Sequence, residues 1–386
     1  MGRPYLRRAH ERGMRVAILD TPAALSWDET KAAMGPGDRG YPVTGTDDEG
    51  WLAAATAALA DGPVDGVVAF SEPHVVAAAL IAEELGLPGP GVRAAVVSRN
   101  KLMQRELFGR AGLAQPAHFH ARDADAAAGF AAGRWPVIAK PLSGSGSHGV
   151  QVLGDESELR AWAAGHGDRE TFLVEEFLDG PEVSVEALLV DGEVRFSNVT
   201  DKTVSGLPFR VELEHHVPAA LAPAVRAAIE RVLIGVTTAI GLRTGVVHLE
   251  LILQAGGPSV VEIAARTPGD YLMDVIEAAT GVDLYDAVIA AACGLPLEIG
   301  KSRPDVASVW FPTPAAGTVE SIEGAESIDR MPGVVKIEID VLPGDEVHPL
   351  RSSMDRVGMV IYRAPDRDGL DDLLTAIRSR LIFKIR

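Results

Sequence analysis

The chain has 386 residues, with a formal net charge of −18 at pH 7 and a single cysteine, Cys293. The acidic surplus argues against a nucleic-acid groove, because binding to a phosphate backbone depends on an excess of Lys and Arg. No apolar run approaches about 20 residues, no signal peptide is evident and no disulfide can form within the chain, so we expect a cytoplasmic protein without a membrane partner.

Strand and helix patterns alternate over the first hundred residues. The apolar runs at 14–20 and 64–70 predict strands, and the run at 74–87 predicts a helix. This alternation is typical of a doubly wound parallel sheet, so we predict an N-terminal α/β domain over residues 1–95. The chain opens at 2–14 with a helical pattern that normally follows a first strand, so we expect either a fold that begins late or a native start upstream of Met1.

A second domain is predicted over residues 96–304, with a lid subdomain at about 115–172. The segment 98–113 has helical spacing with Ser98 as its expected N-cap, and a longer helix is expected at 222–241. Strands are expected at 114–121, 134–142, 171–178, 182–190, 193–200, 245–253 and 259–265. Short strands broken by Pro and Gly follow, so a small β-rich domain is predicted over 305–386.

A glycine-rich and serine-rich loop follows the strand that ends at Lys140. Its glycines let the backbone close over an anion with N–H groups pointing inward, while its serines add hydroxyl donors and Lys140 adds a charge. The glycines are Gly144, Gly146 and Gly149, and the serines are Ser143, Ser145 and Ser147. The loop therefore predicts a nucleotide triphosphate site, although it matches neither standard phosphate motif, and a plain linker between strands is the alternative.

Charged side chains also interrupt two apolar strands farther along the chain. His248 and Glu250 alternate with apolar residues and therefore share one face of a strand, and Glu262 lies on the next strand after a short turn. Two carboxylates on adjacent antiparallel strands near a phosphate loop predict Mg²⁺ or Mn²⁺ in preference to zinc. The alternative is a solvated sheet face, which would make the nearby Arg266 a coincidence.

In this order the motifs resemble those of ATP-grasp enzymes, a family of carboxylate–amine ligases, over nearly the whole chain. The resemblance implies an ATP-grasp fold of the α/β and α+β classes, in which a two-part ATP-grasp domain lies between the predicted N-terminal and C-terminal domains. It implies that Lys101 and Lys140 reach ATP, that Glu250 and Glu262 bind the metal, and that Arg266 neutralises the reacting carboxyl group. In the hinge strand, the resemblance assigns Glu175, Glu176, Phe177 and Leu178 to the adenine and Glu182, with Glu186 beside it, to a ribose hydroxyl. One departure is Ala264, which stands where many members carry an asparagine that also binds metal, so that either water replaces the amide or the chain belongs to another subgroup.

Two segments resemble L-amino-acid ligases, which join two free amino acids. In residues 209–221 the resemblance implies that Glu212 and His215 meet the incoming amino acid, although His216 is an equal candidate for the inward position and a surface loop is the alternative. In residues 265–284 it implies that Arg266 and the backbone at Gly269 face a carboxylate. The expected reaction forms an amide through an acyl phosphate with release of ADP and phosphate, in a homodimer that acts on small carboxylate and amine substrates. Glu212, His215 and His248 all remain candidates for the catalytic base.

Other functions compatible with the same residues are a biotin-carboxylase-like enzyme, a purine-pathway ligase and a nucleotide-binding regulator without turnover. Lys336 lies in an alternating strand and lacks the turn of a biotin acceptor, so biotin attachment is not expected. A regulator would be expected to have lost a lysine or carboxylate, and only Ala264 departs from the pattern. A dehydrogenase would need a glycine fingerprint after the first strand, which is absent.

Overall fold

A computed structural model describes residues 2–45, 47–144, 146, 148–166, 171–300 and 303–386. Within these ranges, no helix combines the length and the apolar character that a membrane crossing requires. Helices and strands are mixed along the chain, as the sequence predicts.

The helices differ in length from one turn to five turns. They are α1 Arg3–Glu11, α2 Pro22–Ser26, α3 Asp28–Ala33, α4 Asp48–Ala60, α5 Val75–Glu84, α6 Val92–Ser98, α7 Lys101–Arg110, α8 Ala124–Ala131, α9 Glu156–Gly165, α10 Pro223–Ile240, α11 Leu272–Thr280, α12 Leu284–Ala292, α13 Ala325–Asp329 and α14 Arg367–Arg380. The longest, α10, begins with Pro223 in its first turn and ends at Gly241, whose φ of 76° suits a glycine after a helix.

The strands lie mainly in the second half of the chain. They are β1 Ala17–Asp20, β2 Arg39–Pro42, β3 His118–Ala121, β4 Val137–Pro141, β5 Gln151–Leu153, β6 Phe172–Glu176, β7 Glu182–Val190, β8 Glu193–Val204, β9 Glu212–Val217, β10 Gly245–Gln254, β11 Gly257–Ala264, β12 Val306–Trp310, β13 Gly317–Glu323, β14 Val334–Ile339, β15 Glu346–Val347, β16 Gly358–Ala364 and β17 Ile382–Ile385.

Two antiparallel sheets position the candidate site. The larger has eight strands in the order β11-β10-β7-β8-β9-β12-β16-β14, and the smaller has four in the order β3-β6-β4-β5. Elsewhere, β1 pairs with β2 in parallel, and β13 lies between β15 and β17. Because β12, β14 and β16 continue the sheet of β7 to β11, the boundary predicted near residue 305 falls within one layer of strands. The division into three domains stays a prediction.

An apolar core packs one face of the large sheet against helices, and polar residues of β10 lie on the opposite face. Val247 and Leu249 of β10 are fully buried and belong to the same cluster as Ile229 and Leu233 of α10. Burying a side chain of this size contributes about 1.5–3 kcal/mol to stability. Since side chains alternate along a strand, burial of Val247 and Leu249 directs His248 to the opposite face.

The N-terminal region differs from its prediction. Residues 64–70 form no strand, and the parallel partner of β1 is β2, which the sequence pattern does not predict. Val68 and Phe70 still pack against the apolar core, so this run buries its side chains without forming a strand ladder. The doubly wound sheet expected here is therefore a two-stranded sheet in the described residues.

Two other local predictions are corrected. Ser98 is the last residue of α6, and the N-cap of α7 is Asn100, whose side chain accepts a hydrogen bond from the Met103 amide at 3.0 Å. The C-terminal region, predicted as β-rich, also contains the fourteen-residue helix α14. Its buried Leu370, Leu374 and Ile377 follow helical spacing, so the sequence did carry that signal.

Candidate active site

A cleft with a volume of about 1360 Å³ lies between the four-stranded and eight-stranded sheets. Most of the residues predicted from sequence line it: Lys101, Lys140, Ser143, Gly144, Gly146, Glu175, Glu176, Phe177, Leu178, Glu182, Glu212, His215, His248, Glu250, Glu262, Arg266 and Gly269. Gly149 is not among the lining residues, and its carbonyl accepts a hydrogen bond from Trp162 Nε1 at 3.1 Å. Ser145 and Ser147 lie outside the described residues.

Lys140 is held by a buried ionic network at one end of this cleft. Its Nζ lies 2.7 Å from Glu175 Oε2, and Arg105 donates to both oxygens of Glu175, at 2.6 and 3.1 Å. Arg105 also donates to the carbonyls of Val260 and Val261 on β11. Because Lys140 is on β4, Glu175 on β6 and Arg105 on α7, the network joins three strands of the two sheets through one helix.

Burial disfavours the charged forms of the side chains in this network, whereas the ion pairs between them favour the charged forms. Burial alone would raise the pKa of Glu175, but the charges of Lys140 and Arg105 outweigh it and lower that pKa to about 2. For Lys140, burial is the larger effect and lowers the pKa of the ammonium, with Glu175 opposing it. The carboxylate of Glu175, expected at the adenine, is thus committed to the two cations.

Lys101 links the glycine-rich loop to the acidic strands. As the first residue of α7, it donates from Nζ to Glu262 Oε1 at 2.8 Å and to the Gly144 carbonyl at 3.1 Å. Its side chain is only 8% exposed. This lysine therefore lies between the loop predicted to bind phosphate and a predicted metal ligand.

Glu250 and Glu262 are directly opposite each other on β10 and β11. His248, also on β10, contacts two carboxylates, with Nδ1 3.0 Å from Glu186 Oε1 and Nε2 3.3 Å from Glu250 Oε1. Although burial disfavours a charged ring, these hydrogen bonds raise the pKa of His248 to about 9. A doubly protonated ring has no lone pair for a substrate proton, so this geometry suits orienting Glu250 better than acting as a base.

Glu186 supports His248 from below the cleft. Its side chain is fully buried, does not line the cleft, and accepts hydrogen bonds from Ser184 at 2.7 Å and Thr200 at 2.6 Å. In this structure residues of the same and neighbouring strands occupy the oxygens of Glu186, and its place among the nucleotide-binding residues stays a prediction.

Lys202 joins the acidic strands to the segment expected to meet the amine. Its Nζ is 2.7 Å from Glu250 Oε1 and 3.3 Å from Glu212 Oε1, and its side chain is 4% exposed. Burial alone would lower the pKa of Lys202, but Glu250 and Glu212 raise it well above the ordinary value. The register of β8 and β9 shifts between Thr203 and Val204, so Glu212 and His215 both reach the cleft despite their three-residue spacing.

The two residues of the His215–His216 pair face different surroundings. His215 Nε2 lies 2.9 Å from Asp270 Oδ2, and His215 is 1% exposed. His216 contacts Ser308 through Nδ1 and Glu214 through Nε2, and it is not a lining residue of the cleft. His215 is therefore the inward member of the pair.

Arg266 and Glu182 each have a charged partner in the cleft wall. Arg266 donates from Nε to Glu72 at 2.6 Å, which brings a residue of the N-terminal region into the cleft wall. Arg210 donates to Glu182 Oε1 from Nε at 2.9 Å and from Nη2 at 2.6 Å. Its guanidinium carbon also lies 5.9 Å from the centre of the Phe177 ring.

Among the charged residues of the site that the sequence does not single out, four differ in the signal that they carry. Arg105 carried a signal, since it follows Lys101 by four residues on one helix face. Lys202 carries a weaker signal, namely a charged side chain near the end of β8. Asp270 and Arg356 gave none, because Arg356 reaches Asp270 Oδ1 from a segment 86 residues away.

The available donors fit a magnesium ion bound together with phosphate groups. No three His, Cys, Asp or Glu side chains in the described ranges gather as a complete metal cage. Mg²⁺, however, usually takes one or two carboxylates and completes its shell with water and substrate phosphates. The opposed pair Glu250 and Glu262 matches that requirement.

Comparison with known proteins identifies the parts of the chain. Family models match at residues 6–89 (ATP-grasp N-terminal domain), 133–274 (ATP-grasp domain) and 309–386 (L-amino acid ligase C-terminal domain 2). The crystal structure of an L-amino acid ligase from Bacillus licheniformis superposes with a TM-score of 0.84 at 24% identity, covering 99% of this chain and 95% of that one.

Proteins with similar sequences match part of this chain. An L-arginine-specific L-amino acid ligase of Bacillus subtilis is 22% identical over 82% of this chain and 79% of its own length. Human carnosine synthase 1 is 30% identical over 60% of this chain, which spans only 31% of that relative. The chain belongs to the ATP-grasp family, with a C-terminal region of the L-amino acid ligase type.

Proposed function

We propose that this protein is an ATP-dependent ligase that condenses a carboxylate, most simply that of an amino acid, with an amine. The observation that carries the proposal is the opposed pair Glu250 and Glu262, which shares one cleft with Lys101, Lys140 and Arg266. Two carboxylates for a metal and three cations for phosphoryl and carboxyl groups are the set that this chemistry needs. Relatives whose names denote L-amino acid ligases support the same assignment.

In the proposed complex, the nucleotide lies between the two sheets. Lys101, Lys140 and the loop at Ser143, Gly144 and Gly146 bind the phosphates, and we extend the proposal to Ser145, Ser147 and Gly149 from sequence alone. Glu176, Phe177 and Leu178 contact the adenine, and Glu182 contacts the ribose. Glu175 acts through Lys140, because its oxygens already accept from Lys140 and Arg105.

Glu250 and Glu262 are the proposed ligands of Mg²⁺ or Mn²⁺. A divalent ion there would offset the negative charge of the phosphates as the carboxylate approaches. Lys101 and Lys202 each pair with one of these carboxylates, which brings two positive charges beside the site of transfer.

The proposed reaction has two steps. The substrate carboxylate attacks the γ-phosphate of ATP, and Lys140 and Arg266 stabilise the charge that accumulates as ADP leaves. The amine then attacks the carbonyl carbon of the acyl phosphate, and inorganic phosphate leaves. Glu212 is suited to hold the ammonium form of the amine, and the Arg266 side chain with the Gly269 backbone is suited to a carboxylate. Closure of the glycine loop would exclude water from the acyl phosphate.

A substrate screen tests the proposal directly. Phosphate release from ATP and Mg²⁺ is measured with the twenty proteinogenic amino acids singly and in pairs, and active wells are analysed by mass spectrometry. We expect release that depends on a pair and a product with the mass of the condensed amino acids. ATP turnover that requires bicarbonate would instead favour a carboxylase-like reaction, and nucleotide binding without turnover would favour a regulator.

Two further features complete the proposal. We expect a homodimer, as in the family, which light scattering after size-exclusion chromatography would measure. We also propose a cytoplasmic location, since small amino acids and ATP are available there, and cell fractionation would test it.

A further inference from the structure

His215 has a ring nitrogen that is buried without a partner. Nε2 of its almost fully buried ring lies 2.9 Å from Asp270 Oδ2, whereas Nδ1 has no hydrogen-bond partner in the part of the chain that the structure describes. Buried polar atoms are nearly always paired, so an orphan in a candidate active site calls for a functional explanation.

The partners of the ring indicate which nitrogen carries hydrogen. Although burial opposes ionisation, the hydrogen bond with His215 and the charge of Arg356 hold the pKa of Asp270 well below its ordinary value. An ionised carboxylate only accepts, so Nε2 donates to Asp270 and Nδ1 keeps its lone pair. Arg356 donates to the other oxygen of Asp270 and lies over the Phe311 ring at 3.8 Å, which fixes the carboxylate.

The charged groups around His215 come from several elements. Asp270 precedes α11, Arg356 precedes β16, Lys202 is its cross-strand neighbour on β8, and Glu212 lies on its own strand. The neighbour on β12 is the apolar Val309. The ring therefore lies among two carboxylates, Asp270 and Glu212, and two cations, Lys202 and Arg356, with the Asp270 carboxylate in direct contact at 2.9 Å.

The other candidate bases are engaged elsewhere. Lys202 contacts Glu212 at 3.3 Å, and both nitrogens of His248 contact carboxylates. Of these candidates, only His215 combines a position in the cleft wall with a nitrogen that has no partner in the described residues.

The backbone next to this cluster is independently unusual. Asp270 and Tyr271 have φ values of 56° and 58°, a left-handed conformation that residues other than glycine seldom adopt. Strain of this kind persists where surrounding structure enforces it and is concentrated at functional sites. Here it turns the carboxylate of Asp270 toward His215.

We propose that His215 Nδ1 is the general base of the amide-forming step, with Asp270 and Arg356 as positioning residues. This inference rests on the proposed ligase function. His215 takes one proton from the incoming ammonium group, which frees the nitrogen lone pair to attack the acyl carbon. The bond from carbon to the phosphate oxygen then breaks, phosphate leaves with the electron pair and takes up the second proton lost from nitrogen, and His215 returns its proton to water.

Assays with two different nucleophiles distinguish the role of a general base from a purely structural role. Wild type, His215→Gln and Asp270→Asn are assayed with the amino-acid pair that the screen identifies, and again with hydroxylamine in place of the amine. Hydroxylamine is largely unprotonated at neutral pH and captures an acyl phosphate without a base. His216→Gln is the matched control, because that ring lies on the same strand but outside the cleft wall.

We expect His215→Gln to lower the rate of amide formation by about 100-fold or more, the usual contribution of a general base, while hydroxamate formation changes little. Asp270→Asn should show a smaller difference of the same kind between the two nucleophiles, and His216→Gln should show no difference. Equal losses with both nucleophiles, or amide formation at the wild-type rate, would overturn the assignment of His215. Neither product from wild type would overturn the ligase proposal itself, and melting temperatures show which variants are folded.

Discussion

Replacing Glu175 by Gln removes the carboxylate that two buried cations share. The three side chains of this network are between 1% and 4% exposed, and the distances of Glu175 to Arg105 and Lys140 are 2.6 and 2.7 Å. Glutamine has nearly the same shape but no charge. The substitution would therefore leave Arg105 and Lys140 close together, desolvated and without their counter-ion.

The structure supports two routes to the size of this effect. Removing one partner of a buried ion pair typically costs about 3–5 kcal/mol. Independently, the pKa of Glu175 is lowered from 4.5 to about 2. Since a tenfold shift in protonation corresponds to about 1.4 kcal/mol, this lowering represents about 3 kcal/mol of stability at neutral pH. The two routes agree.

The assay is thermal and urea unfolding of Glu175→Gln beside the control Glu156→Gln. Glu156 lies 2.7 Å from Arg160, the same separation as in the Lys140 pair, but these side chains are 57% and 47% exposed. An exposed pair contributes at most about 1 kcal/mol. We expect a large loss of stability for Glu175→Gln and almost none for Glu156→Gln.

The pH dependence gives a second measurement with a definite sign. Because the folded-state pKa of Glu175 is depressed, its contribution is complete above about 4.5 and is lost as pH falls toward about 2. The stability gap between wild type and Glu175→Gln should narrow over that range. A variant as stable as Glu156→Gln at pH 7, or a gap that does not change with acid, would refute the reasoning.

Three further substitutions address the proposed chemistry. Glu262→Gln should reduce ADP formation below detection in a folded protein, and near-normal turnover with Mg²⁺ would contradict the metal assignment. Arg266→Ala should retain ATP binding by calorimetry but lose turnover, since its proposed role is to neutralise the reacting carboxyl group; weakened ATP binding would show another role. Lys202→Met should bind Mn²⁺ more tightly than wild type by electron paramagnetic resonance, because Lys202 competes for Glu250; unchanged affinity would argue against that competition.

The sequence predicts best those parts of the site that lie on regular strands. Alternation alone put His248 and Glu250 on one face, and the short turn after β10 made Glu262 a neighbour, as the observed register confirms. These relations follow from backbone geometry and need no knowledge of distant segments. For the same reason, the assignment of residues 245–253 and 259–265 to strands is confirmed within two residues.

The relations that the sequence does not reveal depend on tertiary contacts. Residues 64–70 have the composition of a strand, yet forming one requires a neighbour, and none pairs with them among the described residues. Asp270 meets Arg356 only because β16 lies in the large sheet, and local periodicity contains no trace of that contact. The bulge that brings Glu212 and His215 to the same side is likewise a property of the paired strands.

The shared sheet explains how phosphate chemistry and amine chemistry can meet in one cleft. Glu250 on β10 and His215 on β9 belong to the same layer of strands, and Lys202 on β8 contacts Glu250 and lies directly across from His215. Each position is fixed by backbone hydrogen bonds, so the distance between the proposed metal ligands and the proposed base does not depend on loop closure. Asp270, in contrast, lies on a strained turn outside the strands of this layer. Substitutions there should alter amide formation while leaving the carboxylates of the sheet in place.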